Sequence, residues 1–404
     1  MVRLRDALGL ARHDPAFAGY LLAVLALPWR WGMPVGGLND NAAATDVLFA
    51  VAAGCWLVSR RHRVRAAALG AVHLLLAAFL GFVALSALAA ADESGTLGGA
   101  LLFVELVAVA LLSWDFATSP AYRKWISAAI AFDVVLVAAL GVVAVVLFYA
   151  GVHTALLDGY GALSPSASYA RVRVGFHSGP LMGSFAIVAW AVVTWERGTL
   201  SVRGQRAVQM LCVFVAGLSL SRPVLGLLVA IGVLFLWRRG QRGRAKAVFA
   251  AGLLSVVTLS AGQLHVDPTR PWSATYSFDE STRRHEAGVA LDNTLEHPIA
   301  GLGPGALPGE LYGKPHKAHF TPLNVAGALG IPALACLACL VVVLWRRRIV
   351  AASALWAGMA GLAIDATAQD VEHFRHVWIL LGLIAASSVH QREPSSPAAA
   401  LPML

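Results

Sequence analysis

The sequence predicts an all-α polytopic membrane protein with about twelve transmembrane helices and one large outer loop. Hydrophobic residues make up 58% of the 404 residues, whereas charged residues make up only 13%. A soluble domain usually carries about 25% charged residues, so a separate soluble domain is not expected. Apolar runs close to the ~20 residues that a spanning helix requires recur along the chain. Residues 1–404 are therefore predicted to form a single integral membrane domain.

Polar and basic interruptions divide the apolar sequence into segments that can each form a spanning helix. The first run follows the arginines at positions 3, 5 and 12. No small-residue cleavage site follows it, so it is predicted to be a retained span. The predicted spans, in chain order, cover approximately 16–35, 44–59, 66–90, 97–116, 125–150, 178–195, 206–221, 223–237, 247–264, 321–345, 349–367 and 374–390.

Basic clusters separate alternate pairs of these spans. They follow the second, fourth, sixth, eighth and tenth spans, at 60–65, 123–124, 197–206, 238–246 and 346–348. A cytoplasmic N-terminus places every cluster on the cytoplasmic side, as the positive-inside rule requires. An even number of spans then makes the C-terminus cytoplasmic as well. The Pro-, Ala- and Ser-rich residues 394–404 are predicted to form a disordered cytoplasmic tail.

The net charge and the cysteines do not indicate nucleic acid binding, disulfide bonds or a metal or redox centre. Most of the net charge of +9 lies in these short loops, where it is an orientation signal and does not indicate nucleic acid. All four cysteines lie in apolar runs, as small buried hydrophobic residues do, and no disulfide is predicted. Cys336 and Cys339 form a C-x-x-C motif, but no second pair accompanies it, so a metal or redox centre is not predicted there.

A set of basic residues lies on the opposite side of the predicted membrane from the cytoplasmic basic clusters. Two outer segments, 151–177 and 265–320, are long enough to hold a site, and the second includes a helix-like stretch at 281–296. Arginine near the end of a spanning helix is costly and needs a partner. The predicted partner is a pyrophosphate on a lipid carrier, since guanidinium groups pair well with phosphate oxygens. The basic residues on this side are Arg171, Arg173, Arg222, Arg283, His316 and His319.

The arginine motifs allow two interpretations each. Arg222 stands between two predicted spans in the sequence SLSRP, where Pro223 suits the first turn of the next helix. In an extended strip, Arg171 and Arg173 point the same way and could each bind one phosphate. The alternative for all three is anchoring to lipid headgroups. Arg283, with its neighbour Arg284, is by default a solvated charge on a surface helix.

The histidines precede the point where the outer loop re-enters the membrane. A neutral imidazole at His319 could take a proton from a sugar hydroxyl. Alternatively, His319 caps a helix, or His316 and His319 bind a metal together with acidic residues near 365–373. No further ligand stands at a compelling spacing, so no metal is predicted.

In this order, the motifs resemble the O-antigen ligase family, which also includes O-antigen polymerases and oligosaccharide-transferring protein glycosylases. The resemblance covers about residues 125–390. It depends on the strip ending in Gly179-Pro180, on Ser221-Arg222, on Arg283 before the sequence HPIAGLG at 297–303, and on His319 before two glycines. The sequence departs from the family pattern at Ala287, Phe320 and Ala328, which leaves the subfamily open.

The resemblance implies an enzyme in the bacterial inner membrane with its active site and large loop on the periplasmic face. Such enzymes are metal-independent glycosyltransferases that need no cofactor. A ligase moves a glycan en bloc from undecaprenyl pyrophosphate to lipid A–core in lipopolysaccharide biosynthesis. The family's functional arginines match Arg222 and Arg283, with Arg171 or Arg173 as a third and Arg284 as the alternative to Arg283. The proposed catalytic histidine matches His319.

Further residues and two alternatives stay open. His316, Asp370 and Glu372 are candidates to orient His319 or the acceptor. An O-antigen polymerase would share the donor and differ in its acceptor. A transporter or flippase would instead carry paired charges inside the membrane and broken helices. Glu105 and Asp133 are the candidate intramembrane acids, but the sequence offers them no obvious basic partner.

Overall fold

Helices dominate the structure. The computed structural model describes residues 13–29, 44–59, 70–90, 93–152, 154–157, 170–261, 280–311, 314–346 and 352–388. Within these ranges the chain forms fourteen α-helices and one antiparallel pair of short strands. The helices are α1 Pro15–Leu25, α2 Ala44–Val58, α3 Ala71–Ala89, α4 Glu93–Ala117, α5 Pro120–Tyr149, α6 Gly179–Trp195, α7 Val202–Leu218, α8 Pro223–Arg238, α9 Arg242–Ala261, α10 Glu280–Glu296, α11 Thr321–Leu329, α12 Ile331–Arg346, α13 Ser353–Asp365 and α14 Arg375–Ser387, and the strands are β1 Gly309–Leu311 and β2 Lys314–His316.

Three of the described helices are long and apolar enough to cross a membrane: Ala71–Ala89, Gly95–Ala117 and Pro120–Tyr149. They support the prediction of a helical membrane protein. The prediction of about twelve full-length spans is wrong for the described helices, because the six other apolar helices have only 10–17 residues. At about 1.5 Å per residue, such a helix is shorter than the ~30 Å hydrocarbon core.

Polar side chains set the ends of two of the short helices, α6 and α7. The hydroxyl of Ser178 accepts a hydrogen bond from the amide of Leu181 and begins α6. Helix α7 ends at Leu218, where the next residue, Ser219, turns its hydroxyl back to the carbonyl of Ala216. Such local bonds satisfy backbone groups that lack an intrahelical partner, so they define where each helix begins or ends.

A glycine divides the predicted span 321–345 into α11 and α12. Gly330 has φ +88° and ψ 161°, a conformation that is essentially restricted to glycine. A Cβ atom there would come within 2.0 Å of the carbonyl oxygen of Ile299. The amide of Ile331 donates to the carbonyl of Pro298 at 2.8 Å. The loop segment that follows α10 is thus attached at the break itself, which fixes residues 298–299 relative to α11 and α12.

The glycine-rich sequence 301–305 fixes the same loop against α4. A Cβ atom on Gly99 would lie 2.3 Å from the amide nitrogen of Gly305, so the two backbones are in direct contact. The amides of Leu302 and Gly303 donate to carbonyls of α11 at 2.8 and 2.9 Å. These contacts give the glycines a structural role and carry the chain to the strand pair at a defined position.

Small residues bring the helices around the core close together. Gly226 of α8 faces Gly361 of α13 so closely that a Cβ on either would meet the other's carbonyl oxygen at 2.6 Å. Gly382 of α14 meets the carbonyl of Ala110 on α4 at 2.3 Å in the same way. Close backbone approach through small residues is typical of helix packing in membranes. This packing brings the N-terminal ends of α6, α8 and α14 and the C-terminal end of α13 into one region.

Some predicted features lie outside the described residues. The tail 394–404 and the basic cluster 60–65 are among them, and so is part of the loop 265–320. Within that loop, the helix-like stretch 281–296 corresponds to α10. The predicted placement of both termini in the cytoplasm stays a prediction.

Candidate functional site

A buried carboxylate and two histidines meet where α10 contacts the strand pair. Glu286 lies on α10, and its residue is only 2% exposed. His319 Nδ1 lies 2.9 Å from Glu286 Oε2, and His316 Nδ1 lies 3.4 Å from Oε1. The two imidazole rings are stacked with centroids 5.4 Å apart. The Glu286 carboxylate therefore lies against both histidines and forms its hydrogen bond with His319, whereas His316 Nδ1 also lies 2.8 Å from the carbonyl oxygen of Lys317.

Backbone contacts on both sides hold His319 in place. The preceding residue, Ala318, is fully buried, and its carbonyl accepts a hydrogen bond from the side chain of Asn324. Two residues after His319, the hydroxyl of Thr321 donates to the carbonyl of Gln369 and accepts from the amide of Val371. Strand β2 ends at His316, paired with Gly309 of β1. The histidines are thus presented from a segment fixed at both ends.

The contact between Glu286 and His319 has a clear chemical consequence. A carboxylate that accepts from Nδ1–H selects the tautomer in which Nε2 carries the free lone pair. The side chain of His319 is 28% exposed, so a ligand can approach the ring. The negative charge of Glu286 also stabilises the imidazolium that forms when the ring takes a proton. This arrangement can perform general-base chemistry.

Glu286 was not among the sequence candidates. It lies 33 residues before His319 in the chain, inside a polar helix where a glutamate is normally solvated. Its near-complete burial is the unusual feature, and burial of a single residue in a polar helix cannot be seen from periodicity. The only sequence signal for Glu286 was its position three residues after the candidate Arg283, which places both residues on one face of a helix.

A second charged group surrounds Lys317. Lys317 Nζ lies 3.0 Å from His373 Nε2 and 3.7 Å from Asp370 Oδ2. His373 Nδ1 in turn lies 2.9 Å from Glu372 Oε1. Burial acts to raise the pKa of the Glu372 carboxyl, but the charges of His373 and Lys317 outweigh it and hold that pKa below its ordinary value. Asp370 and Glu372, candidates to orient His319, thus have Lys317 and His373 as their ion-pair partners.

Two of the candidate arginines meet at the turn between α7 and α8. Arg222 is the residue before the first turn of α8. Arg171 Nε donates to the carbonyl oxygen of Ser219 at 3.3 Å, in the same turn. The neighbouring amide of Val172 donates to the carbonyl of Leu218 at 3.2 Å. The extended strip that carries Arg171 is therefore joined by backbone bonds to the segment that carries Arg222.

A buried aspartate connects this turn to the segment of Asp370. Asp365, at the end of α13, accepts a hydrogen bond from the hydroxyl of Ser184 and is 1% exposed. The residue before Ser184 is a glycine whose Cβ position lies 2.7 Å from Pro223. Arg222 and Asp370 both lie near enough to Asp365 to act on its charge. The Arg222 turn and the Lys317 group thus border a common region.

The remaining arginines have different surroundings. Arg173 donates from Nε to the carbonyl of Ala155 and from a terminal nitrogen to that of His177, both at 3.2 Å. These bonds hold it within the segment between α5 and α6. Arg283 and Arg284 lie in α10 near its start, and their side chains are outside the described residues.

Charged residues also meet between the apolar helices. Arg375 at the start of α14 donates to Glu105 of α4, with Nε and Oε1 2.8 Å apart, and it contacts Asp46 of α2. The expectation that Glu105 lacks a basic partner is wrong, because the partner comes from a helix 270 residues later in the chain. Asp133 of α5 is fully buried, and within the described part of the chain its carboxylate has no hydrogen-bond partner.

Comparisons of the chain with protein-family models, with curated proteins and with solved structures found no match. The resemblance drawn from the sequence motifs therefore stays a prediction. The function has to be argued from the geometry of the two histidines, the arginine turn and the groups between them.

Proposed function

We propose that the protein is a glycosyltransferase of the O-antigen ligase type. It transfers a glycan en bloc from undecaprenyl pyrophosphate to a sugar hydroxyl of lipid A–core. The observation that carries this proposal is the hydrogen bond between the buried carboxylate of Glu286 and Nδ1 of the accessible His319. That pair supplies a base on the loop side of the helices, where the arginine motifs also lie.

In this proposal His319 is the general base. Its Nε2 takes the proton of the acceptor hydroxyl while the hydroxyl oxygen attacks the anomeric carbon of the donor. A new carbon–oxygen bond forms, the bond to the pyrophosphate breaks, and the leaving group keeps the electron pair. Attack from the opposite face inverts the configuration. Glu286 orients the ring and stabilises its positive charge, and a positioned base of this kind contributes about 10²–10⁴-fold in rate.

Arginines would bind the pyrophosphate and stabilise the charge that develops as it leaves. Arg222 and Arg171 are supported by the hydrogen bond that joins Arg171 to Ser219, three residues before Arg222 in the same turn. Arg173, Arg283 and Arg284 are further candidates from the resemblance. Charge-assisted hydrogen bonds from guanidinium groups are short and strong, and preorganised donors need no rearrangement during reaction. The reaction as proposed needs no cofactor.

The membrane setting is part of the same proposal. The protein would lie in a bacterial inner membrane with both termini in the cytoplasm and its site on the periplasmic face. The apolar helices would hold the polyprenyl chain, and the pyrophosphate would lie at the interface. The shorter apolar helices would end near the site, where their terminal backbone groups lie against protein or a water-filled cavity.

The test is transfer by the detergent-solubilised protein in the presence of EDTA. The substrates are a defined undecaprenyl-pyrophosphate glycan and purified lipid A–core. We expect glycosylated lipid A–core from the wild type and from His285→Ala, and about 10²–10⁴-fold slower formation of it by His319→Ala. His285 is the matched control, since it lies beside Glu286 but pairs with Glu310. Growth of the lipid-linked glycan in place of transfer would indicate a polymerase.

A second candidate function is transport of a lipid-linked glycan. It is favoured by the ion pair of Glu105 with Arg375 between apolar helices and by the helix break at Gly330. Buried charges and discontinuous helices are common at transporter binding sites. Proteoliposomes with a fluorescent lipid-linked glycan would distinguish the two. Movement of the lipid across the bilayer without any transfer in the EDTA assay would favour transport.

A further inference from the structure

Glu286, His316 and His319 have the donor set of a zinc site. One carboxylate oxygen and one nitrogen from each imidazole all lie within 4.8 Å of one another. Two histidines with one glutamate, and a fourth position left to water, form one of the common zinc arrangements in proteins. We propose that these three residues bind one Zn²⁺ ion, and that the bound ion inhibits the protein.

The spacing of the donor atoms fits this ion. Two ligand atoms about 2.1 Å from a tetrahedral zinc ion lie about 3.4 Å apart. The separations from the Glu286 carboxylate are 2.9 Å to His319 Nδ1 and 3.4 Å to His316 Nδ1. An ion can therefore replace the hydrogen between His319 and Glu286 with small side-chain movements. His316 Nδ1 also lies 2.8 Å from the carbonyl oxygen of Lys317, so this ring would exchange that hydrogen bond for the metal. Magnesium and calcium prefer oxygen donors, so two imidazoles select against them.

Burial and exposure in the group also suit a metal. Glu286 is almost completely buried, so its charge is poorly solvated and gains from a cation. The side chains of His316 and His319 are 38% and 28% exposed, which leaves one side of the group open to solvent. That opening gives the ion an entry path and a position for water.

The other acidic and histidine group is less suited to a metal. Asp370, Glu372 and His373 also place donor atoms within 4.8 Å of one another. However, the ammonium group of Lys317 already lies 3.0 Å from the His373 ring and 3.7 Å from Asp370. A metal there would have to displace this cation. We therefore expect a single zinc equivalent within the described residues, at Glu286.

Inhibition follows from the tautomer that zinc would impose on His319, and this step rests on the proposed function of His319 as the base. An ion bound at Nδ1 leaves the ring proton on Nε2, so Nε2 has no lone pair to take the proton of the acceptor hydroxyl. The ion would also draw the Glu286 charge away from the ring. Chelation should restore transfer. Binding of zinc itself does not depend on the proposed function.

The experiment is equilibrium dialysis of the purified protein against ZnCl₂, with an affinity tag that contains no histidine. The protein is first treated with EDTA and exchanged into chelator-free buffer. We expect one equivalent bound to the wild type. Glu286→Gln and His316→Ala should each lose affinity by more than the roughly 10–100-fold that removal of an outer-shell partner causes.

Two histidine variants are matched controls. His285→Ala removes an imidazole next to Glu286, and His373→Ala removes one from the second group, so both should keep the zinc equivalent. The exposed position of His316 makes its variant a second test if Glu286→Gln does not fold. No binding to the wild type, or unchanged binding in His316→Ala, would overturn the inference. Transfer that fails in EDTA would count against the proposed function and leave the zinc result standing.

Discussion

Glu286 and His319 are 33 residues apart in the chain, and their side chains form a 2.9 Å hydrogen bond. The carboxylate is buried on α10, whereas the imidazole is partly open to solvent. The pair therefore combines a charge that is shielded from water with a nitrogen that a ligand can reach. Such a division fixes the tautomer of a histidine and leaves its other nitrogen free to act.

Replacement of either partner should reduce glycan transfer to different extents. We expect His319→Ala to lower kcat by about 10²–10⁴-fold, the contribution of a positioned base. Glu286→Gln keeps an acceptor for Nδ1–H but removes the charge, so its loss of kcat should be smaller. Because neither side chain binds the donor in this mechanism, the donor KM should change little. Initial rates across a range of donor concentrations separate the two constants.

The conservative variant Glu286→Asp provides the control for a merely structural role. It keeps the charge but shortens the side chain, so it should recover part of the kcat lost in Glu286→Gln. Both variants should show the same elution on size exclusion as the wild type. Equal activity of Glu286→Gln and the wild type would remove Glu286 from the mechanism.

Arg222 should contribute to donor binding through the geometry of its guanidinium group as well as through its charge. A charge-assisted hydrogen bond is worth about 1.5–3 kcal/mol, so Arg222→Ala should lower kcat/KM by roughly 10–100-fold. Lysine lacks the planar fork of arginine, and Arg222→Lys should recover only part of this loss. Competition by a non-transferable pyrophosphate analogue would measure the binding component directly.

The control for Arg222 lies at the other end of the same helix. Arg239 follows α8 and stacks over Phe235, with its guanidinium carbon 4.1 Å from the ring centroid. Arg239→Ala removes the same group on the predicted cytoplasmic side, so transfer should be unaffected. Similar losses in both variants would point to a general effect on stability and would contradict a phosphate role for Arg222.

Some features of this structure could be predicted from the sequence, whereas features that depend on contacts between distant residues could not. Helical apolar segments were predictable because a bilayer selects composition along each segment. Helix ends inside apolar sequence were not predictable, because they depend on tertiary contacts. The break at Gly330, for example, lies against the carbonyl of Ile299 from the preceding loop. The arginine motifs could be found by their departure from the charge pattern. The roles of Glu286 and Arg375 were not predictable, because each depends on a partner, 33 and 270 residues away in the chain respectively.

Arg375 should be required for stability, because it balances two carboxylates. Arg375→Gln leaves Glu105 and Asp46 without this cation between apolar helices. Removal of one partner of a buried ion pair typically costs about 3–5 kcal/mol. Thermal unfolding in detergent should show a lower Tm for Arg375→Gln. The double variant Arg375→Gln/Glu105→Gln should recover part of the loss, and an unchanged Tm in the single variant would contradict this role.

Glu372 should make the stability of the protein sensitive to acid. Its pKa in the folded protein lies below the ordinary value of 4.5, because His373 and Lys317 offset the cost of burial. A lowered pKa contributes stability that is complete above the unfolded value and is lost as the pH falls through the folded value. The Tm should therefore fall below about pH 4.5 in the wild type. Glu372→Gln should have a lower Tm at pH 7 and a weaker dependence on acid, and parallel curves for the two proteins would exclude this linkage.

Gly330 should tolerate no side chain, whereas a glycine of α7 should. Alanine at 330 would have to adopt a conformation that costs about 1–3 kcal/mol and would also meet the carbonyl of Ile299. Gly217 has nothing within 4 Å of its Cβ position. Because alanine is more favourable than glycine within a helix by roughly 0.5–1 kcal/mol, Gly217→Ala should be neutral or stabilising. The Tm and the rate of glycan transfer should both fall in Gly330→Ala and should not fall in Gly217→Ala. The reason is that the helix break at Gly330 fixes the loop that carries Glu286. A Gly330→Ala protein with normal Tm and normal transfer would show that the helix break does not depend on this glycine.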